Sequence, residues 1–225
     1  MKHTFIFIFL SCSILSFGQK RNIELSDIWA SGTFYPKTVN GFVNMNDGKS
    51  YCIQERSENG YDVINQYDYL TGTKIKELLN AKDVFGSEKF EINSYAFNKD
   101  QSMMLIYYNS KKIYRHSTRG DFQVVQLSNK EVIAEGKEVR YPTLNSMGTK
   151  LAYVRENDLY VLDITRQKVR RITNDGEYNR IINGAVDWVY EEEFGMSKGF
   201  EWNSDGSKLA FYRFDESLVK QWQMT

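Results

Sequence analysis

Three consecutive carboxylates stand among aromatic residues in the stretch Asp187-Trp188-Val189-Tyr190-Glu191-Glu192-Glu193-Phe194. Like charges a few ångströms apart repel by roughly 1 kcal/mol or more where screening is poor. A solvated loop tolerates that, and a bare charge run is usually such a loop. Here Trp188, Tyr190 and Phe194 imply partial burial, and partly buried like charges call for a cation. On a tight turn or a single helical turn, two neighbouring carboxylates converge on one ammonium group, and a substrate amine is such a cation. A second feature is Arg115, in Tyr107-Tyr108-Asn109-Ser110-Lys111-Lys112-Ile113-Tyr114-Arg115-His116-Ser117. By itself it is one residue of a basic strand edge; a functional arginine would present its planar fork to a carbonyl or carboxylate. A third feature misleads. Gly195-Met196-Ser197-Lys198-Gly199 matches the G-x-S-x-G nucleophile elbow, which needs a strand before it, a helix after it, and then an Asp and a His. Only 26 residues follow Gly199, none of them His, and Phe200-Glu201-Trp202 begins a strand instead.

Composition narrows the chemistry further. Lys plus Arg is 29 and Asp plus Glu is 29, so there is no global field to attract nucleic acid or anionic lipid. The only histidines are His3 and His116 and the only cysteines Cys12 and Cys52. A disulfide framework, a Cys- or His-ligated metal site and a complete Ser-His-Asp triad are therefore not expected, and no metal or organic cofactor is suggested. With 41% hydrophobic residues and 15% aromatics, the 225 residues are able to bury a sizeable core.

The first residues read as an address. Lys2 and His3 precede the apolar run Phe5 to Phe17, and Ser16 and Gly18 place small residues ahead of Gln19. That is the layout of a signal peptide over 1–18, with an uncleaved anchor as the alternative. The apolar run is too short to span a bilayer of about 30 Å as a helix. The expected location is exported, periplasmic or secreted. Cleavage would leave Cys52 alone, as a buried small apolar residue.

The rest must be built of strands. Short runs rich in Tyr, Phe, Val and Ile alternate with Asn, Asp, Gly and Ser clusters, the pattern of many short antiparallel strands. Four segments align on one turn, MNDGKSYCI, NKDQSMMLIYY, NSMGTKLAYV and NSDGSKLAFY, with Gly48, Gln101, Gly148 and Gly206 at spacings of 53, 47 and 58 residues. A second half-repeat follows in VINQYDYLTGTKIKEL, FQVVQLSNKEVIAEG and LYVLDITRQKVRRIT. Four strands per unit of about 50 residues is the blade signature of a β-propeller, against an ordinary β-sandwich as the alternative. The fourth unit is incomplete at Phe214 to Thr225, so an open ring and a longer parent protein are expected.

These residues bring a family into view. The Asp187–Phe194 stretch resembles the double-Glu motif of the dipeptidyl peptidase IV family, serine exopeptidases of the prolyl oligopeptidase clan. Tyr114-Arg115-His116-Ser117 resembles that family's propeller arginine segment. Asp27-Ile28-Trp29 through Phe34-Tyr35-Pro36-Lys37 is similar to the start of its propeller, and Ala210-Phe211-Tyr212-Arg213-Phe214-Asp215-Glu216 fits as well. The resemblance implies an all-β fold for residues 19–225: four-stranded antiparallel blades, roughly the first four of an eight-bladed N-terminal propeller. It implies that a C-terminal α/β-hydrolase domain, absent here, supplies the nucleophile, Asp, His and oxyanion Tyr.

By the same resemblance Glu192 and Glu193 bind the free N-terminal amine of a peptide, and Arg115 binds the carbonyl of the second residue from the cleavage site. Glu191, Trp188 and Tyr190 are supporting residues. Together they measure off two residues, so that cleavage follows X-Pro or X-Ala. An ammonium paired with two carboxylates is a charge-assisted contact that positions the scissile bond. The expected partners are a peptide with a free N-terminus and the missing hydrolase domain; a homodimer of the full-length protein is implied too. As it stands the chain is expected to be inactive alone. The rival readings are a non-catalytic propeller used as a binding module, and a truncated, inactive remnant.

Overall fold

The structure is a computed structural model that describes residues 21–36, 41–220 and 222. The signal peptide expected over 1–18, with Cys12, lies outside the described residues. Two compact units divide the chain between Val39 and Asn40. In the first, α1 (Leu25–Trp29) is one helical turn closed by a capping box between Glu24 and Asp27. Asp27 is buried and takes a bond from Arg21 at 2.5 Å.

The second unit is built of antiparallel sheets. Strands β1 (Val43–Asn44), β2 (Ser50–Arg56), β3 (Asp62–Asp68) and β4 (Lys74–Asn80) form a four-stranded sheet in sequence order. After the short helix α2 (Ala81–Phe85) come β5 (Ile92–Phe97), β6 (Met103–Lys112), β7 (Thr118–Gln126), β8 (Glu131–Leu144), β9 (Lys150–Arg155), β10 (Asp158–Asp163) and β11 (Lys168–Arg171). They make one seven-stranded sheet, again in sequence order. Physically it is two blades sharing β8. Residues 131–139 of that 14-residue strand pair with β7, and Arg140 to Leu144 pair with β9. Left-handed backbone at Glu138 and Tyr141 marks the handover, where the strand leaves one blade's rim and becomes the first strand of the next. The fourth unit is two ladders, β12 (Ile181–Asn183) with β15 (Arg213–Asp215), and β13 (Phe200–Trp202) with β14 (Leu209–Phe211). The helix α3 (Trp188–Phe194) stands between β12 and β13. The four-stranded pattern thus holds in three blades and only in two-strand pieces in the fourth.

Continuous apolar runs are explained by packing on both faces of each blade. Along β6, Met104, Ile106 and Tyr108 pack with Cys52, Ile64 and Leu79 of the first blade. Leu105, of opposite parity, packs with Phe122, Val124, Leu151 and Tyr153 toward the third. On β9, Leu151 and Tyr153 face back, whereas Ala152 and Val154 pack with Ala185 and Phe200 of the fourth unit. Side chains alternate across a strand, so a strand between two blades must be apolar at both parities. Each fully buried large side chain contributes about 1.5–3 kcal/mol. Cys52 behaves as expected: it is fully buried in this core, and burial pushes its thiol up to about 11.

The repeated turns are near copies. Gly48, Gln101, Gly148 and Gly206 all have left-handed φ, at 64, 58, 71 and 69°. Each donates its N–H to the carbonyl three residues back, at 3.2, 3.0, 3.0 and 2.9 Å. Successive turns also bond to one another. Asn46 N–H donates to Gln101 Oε1 at 2.8 Å, Lys99 N–H to the Ser146 carbonyl at 3.0 Å, and Asn145 Nδ2 to the Gly206 carbonyl at 3.2 Å.

Candidate functional site

Arg115 lies at the tip of a hairpin rather than along a strand edge. The β6–β7 ladder ends at the pair Lys112 and Thr118, and Ile113 N–H closes the tip by donating to the Ser117 carbonyl at 2.9 Å. This hairpin outreaches its counterparts: β6 has 10 residues, against 7 in β2 and 6 in β9.

The carboxylate run forms α3. Asp187 caps its start by accepting from Tyr190 N–H at 2.8 Å, and Gly195 ends it in the left-handed conformation. The loop that carries the helix is pinched at its base, where Gly199 N–H donates to the Gly184 carbonyl at 3.0 Å and Ala185 bridges Lys198. Both glycines of the apparent nucleophile elbow therefore have structural reasons. Gly195 is a helix C-cap, and a Cβ on Gly199 would sit 2.8 Å from the Ala185 carbonyl oxygen. The order here is helix, then Ser197, then strand, the reverse of an elbow.

Successive helical residues point about 100° apart, so three consecutive glutamates cannot share one environment. Glu191 turns inward and is 1% exposed. Its Oε1 accepts the backbone N–H of His116 at 2.7 Å and of Ser117 at 3.0 Å. Burial opposes its ionisation, but these N–H donors and the nearby Arg140 guanidinium prevail and hold the carboxyl below its ordinary value. Glu192 is half-buried and pairs through Oε2 with Arg115 Nη1 at 3.1 Å. Glu193 is exposed and makes no ion pair among the described residues. The structure thus joins Arg115, Glu191 and Glu192, and leaves Glu193 beside them on the outer face.

The aromatic residues correct one expectation. Trp188 is 55% exposed and Phe194 66%, so they do not bury the run. Tyr190 is exposed as well, although its ring meets Phe214 at 4.9 Å and Phe194 at 5.2 Å between centroids. It is the inward turn of Glu191, rather than aromatic cover, that removes charge from water. Glu191 is expected only as a supporting residue; its inward turn onto the hairpin backbone is not read from the sequence, and the signal that shows it is the helical period applied to three equal charges.

With this geometry in hand, the comparisons decide the family. The family model for the dipeptidyl peptidase IV (DPP IV) N-terminal region matches residues 98–225, more than half of the chain. The chain belongs to the dipeptidyl peptidase IV family. Among curated relatives, dipeptidyl peptidase 4 of Felis catus is 36% identical over 139 residues, covering 60% of this chain and 18% of its own length. Prolyl endopeptidase FAP of Homo sapiens is 30% identical over 204 residues, covering 88% of this chain and 25% of its own. The crystal structure of Porphyromonas gingivalis dipeptidyl peptidase 4 superposes with a TM-score of 0.76 at 31% identity, covering 89% of this chain and 28% of that one. The chain therefore spans about a quarter or less of the curated relatives' length and has the fold of a dipeptidyl peptidase IV propeller portion. The residues matched by the family model, 98–225, include α3 and the hairpin tip with Arg115.

Proposed function

We propose that this chain is the substrate-gating, N-terminus-clamping propeller part of an exported serine dipeptidyl peptidase that removes X-Pro or X-Ala dipeptides. The observation that carries the reading is the pairing of Arg115 with Glu192 at 3.1 Å beside Glu193, which has no ion pair among the described residues. Glu191 is met by its amide donors and by the nearby Arg140 guanidinium, so the balance left over is Glu192 and Glu193 against Arg115. One further unit cation neutralises the site, and the α-ammonium of a peptide is such a cation. The guanidinium end of this pair lies in water, where charge pairs contribute little, although Glu192 itself is mostly covered. Arg115, 72% exposed in its side chain, is therefore easily turned from Glu192 toward a substrate carbonyl. Held at both points, the peptide presents its second residue's bond to a hydrolase domain at a fixed reach, a gain in positioning rather than in chemistry. Export rests on the 1–18 segment and is part of the same proposal.

The test compares the intact protein acting on a chromogenic dipeptidyl substrate with a free N-terminus and on its N-acetylated form. Strong preference for the free amine, lost in Glu192→Ala and Glu193→Ala, is the expected result. Equal turnover of the two substrates by the unaltered protein sinks the clamp.

A further inference from the structure

The hairpin tip that carries Arg115 has little to hold it in place. The β ladder stops at Lys112 and Thr118, and inside the tip there is the single backbone bond from Ile113 to Ser117. Cavities lie on two sides: His116 lines one of about 430 Å³, and Ile113 and Tyr114 line another of about 670 Å³. The Ser117 hydroxyl is buried against the Glu191 carboxylate and helps to keep it ionised, so that side chain too depends on Glu191. What reaches it is Glu191, from 74 residues away. With the Arg115–Glu192 pair, the two bonds to Glu191 are the polar contacts that join tip to helix among the described residues.

We propose that Glu191 is a positioning residue for the clamp, its buried carboxylate pinning the main chain at His116–Ser117 so that Arg115 faces Glu192 and Glu193 before substrate arrives. This rests on the clamp reading above. A buried carboxylate is costly unless its oxygens are met by donors, and charge-assisted N–H bonds are the strong kind. Both donors belong to the main chain, so the constraint falls on the backbone next to Arg115 and leaves its guanidinium free to bind. Ordering the tip in advance removes that entropy cost from the binding step.

The experiment measures peptide-resolved hydrogen exchange over residues 113–118 in the intact protein, with KM and kcat on the free-amine and acetylated substrates, for Glu191→Ala and Glu191→Gln. In Glu191→Ala, exchange over 113–118 rises while β6 residues 103–108 stay protected. KM for the free-amine substrate rises about tenfold, the size of one lost charge-assisted hydrogen bond, and kcat changes less. Glu191→Gln keeps an oxygen that accepts the same N–H groups and falls between the two, recovering most of the loss. Should Glu191→Ala fail to fold, the near-isosteric Gln variant carries the test through the same exchange rise in reduced size. Unchanged exchange over 113–118 in the folded variants, with selectivity for the free amine intact, overturns this inference and leaves the clamp standing. Absence of that selectivity in the unaltered protein overturns the clamp, and this inference with it.

Discussion

The four aligned turns and the α3–hairpin assembly use the same chemistry, side-chain oxygens accepting main-chain N–H groups, over very different distances. Asp47 accepts from Lys49 and Ser50, and Asn145 from Thr149 and Lys150, all within five residues. Glu191 accepts from residues 74 and 75 positions away. The turn acid Asp47 is solvent-exposed, and Asp100 and Asp205 repeat its bond to the N–H two residues on, whereas Glu191 is buried and occurs once. Where the repeat is kept, the molecule builds scaffold. Where it is broken, by a longer hairpin in the second blade and a helix inserted in the fourth, it gathers charge beside charge.

The largest test of that contrast removes the site's acids. Glu192→Ala or Glu193→Ala should lower kcat/KM for a free-amine substrate by about a hundredfold, the scale of truncating one member of a charge pair, with the melting temperature little changed. A comparable loss from any turn variant would erase the distinction between scaffold and site.

Next in size are two glycines that share one turn geometry. A Cβ on Gly48 meets open space, so Gly48→Ala should cost about 1–2 kcal/mol for the left-handed backbone alone. At Gly148 the same Cβ lies 2.8 Å from Asn98 Nδ2 and Met103 Sδ of the preceding turn. Gly148→Ala should cost about 1–3 kcal/mol more, visible as a Tm several degrees below that of the Gly48 variant. Equal melting points would mean that turn-to-turn contact contributes nothing.

Acid should release the site's tether. The folded-state pKa of Glu191 lies below its ordinary value, so its contribution is fully present above about pH 4.3 and is lost as pH falls through the depressed value. Arg140 and Tyr114 are among the ionisable groups that interact with it. Hydrogen exchange at the His116 and Ser117 amides, corrected for intrinsic rates, should rise below about pH 4. Protection that persists under those conditions would show the tip to be held by something other than a carboxylate.

The smallest effect is expected at the turn that lacks glycine. Gln101 adopts left-handed φ at a cost of about 1–2 kcal/mol, and its Oε1 accepts from Asn46 N–H in the neighbouring blade. Gln101→Gly relieves the strain and loses a bond of about 0.5–1.5 kcal/mol, so thermal stability should stay within a degree or two.

Much of the scaffold was legible because its causes are local. The turn residues, the strand runs on either side and the burial of Cys52 all follow from contacts within a hairpin or from unbroken apolarity. The sharing of β8 between two blades was not legible, because Gly136 and Pro142, beside the bends at Glu138 and Tyr141, read as the ends of strands rather than as parts of one. The aromatic residues around the carboxylates pointed the wrong way: Trp188 and Phe194 stay exposed, and burial falls on the glutamate instead.

By itself, then, the sequence determined the blades, the turns and the presence of three adjacent carboxylates and one arginine worth watching. Chain order and hydrophobic alternation suffice for those, since each acts over a few residues. Only the tertiary structure decided that Glu191 faces inward, that Glu192 rather than Glu193 meets Arg115, and that main-chain amides of a distant hairpin compensate the buried charge. Those choices depend on how a seven-residue helix and a five-residue tip meet across two blades, and a carboxylate's environment is set by whatever the fold brings within about 3 Å of its oxygens.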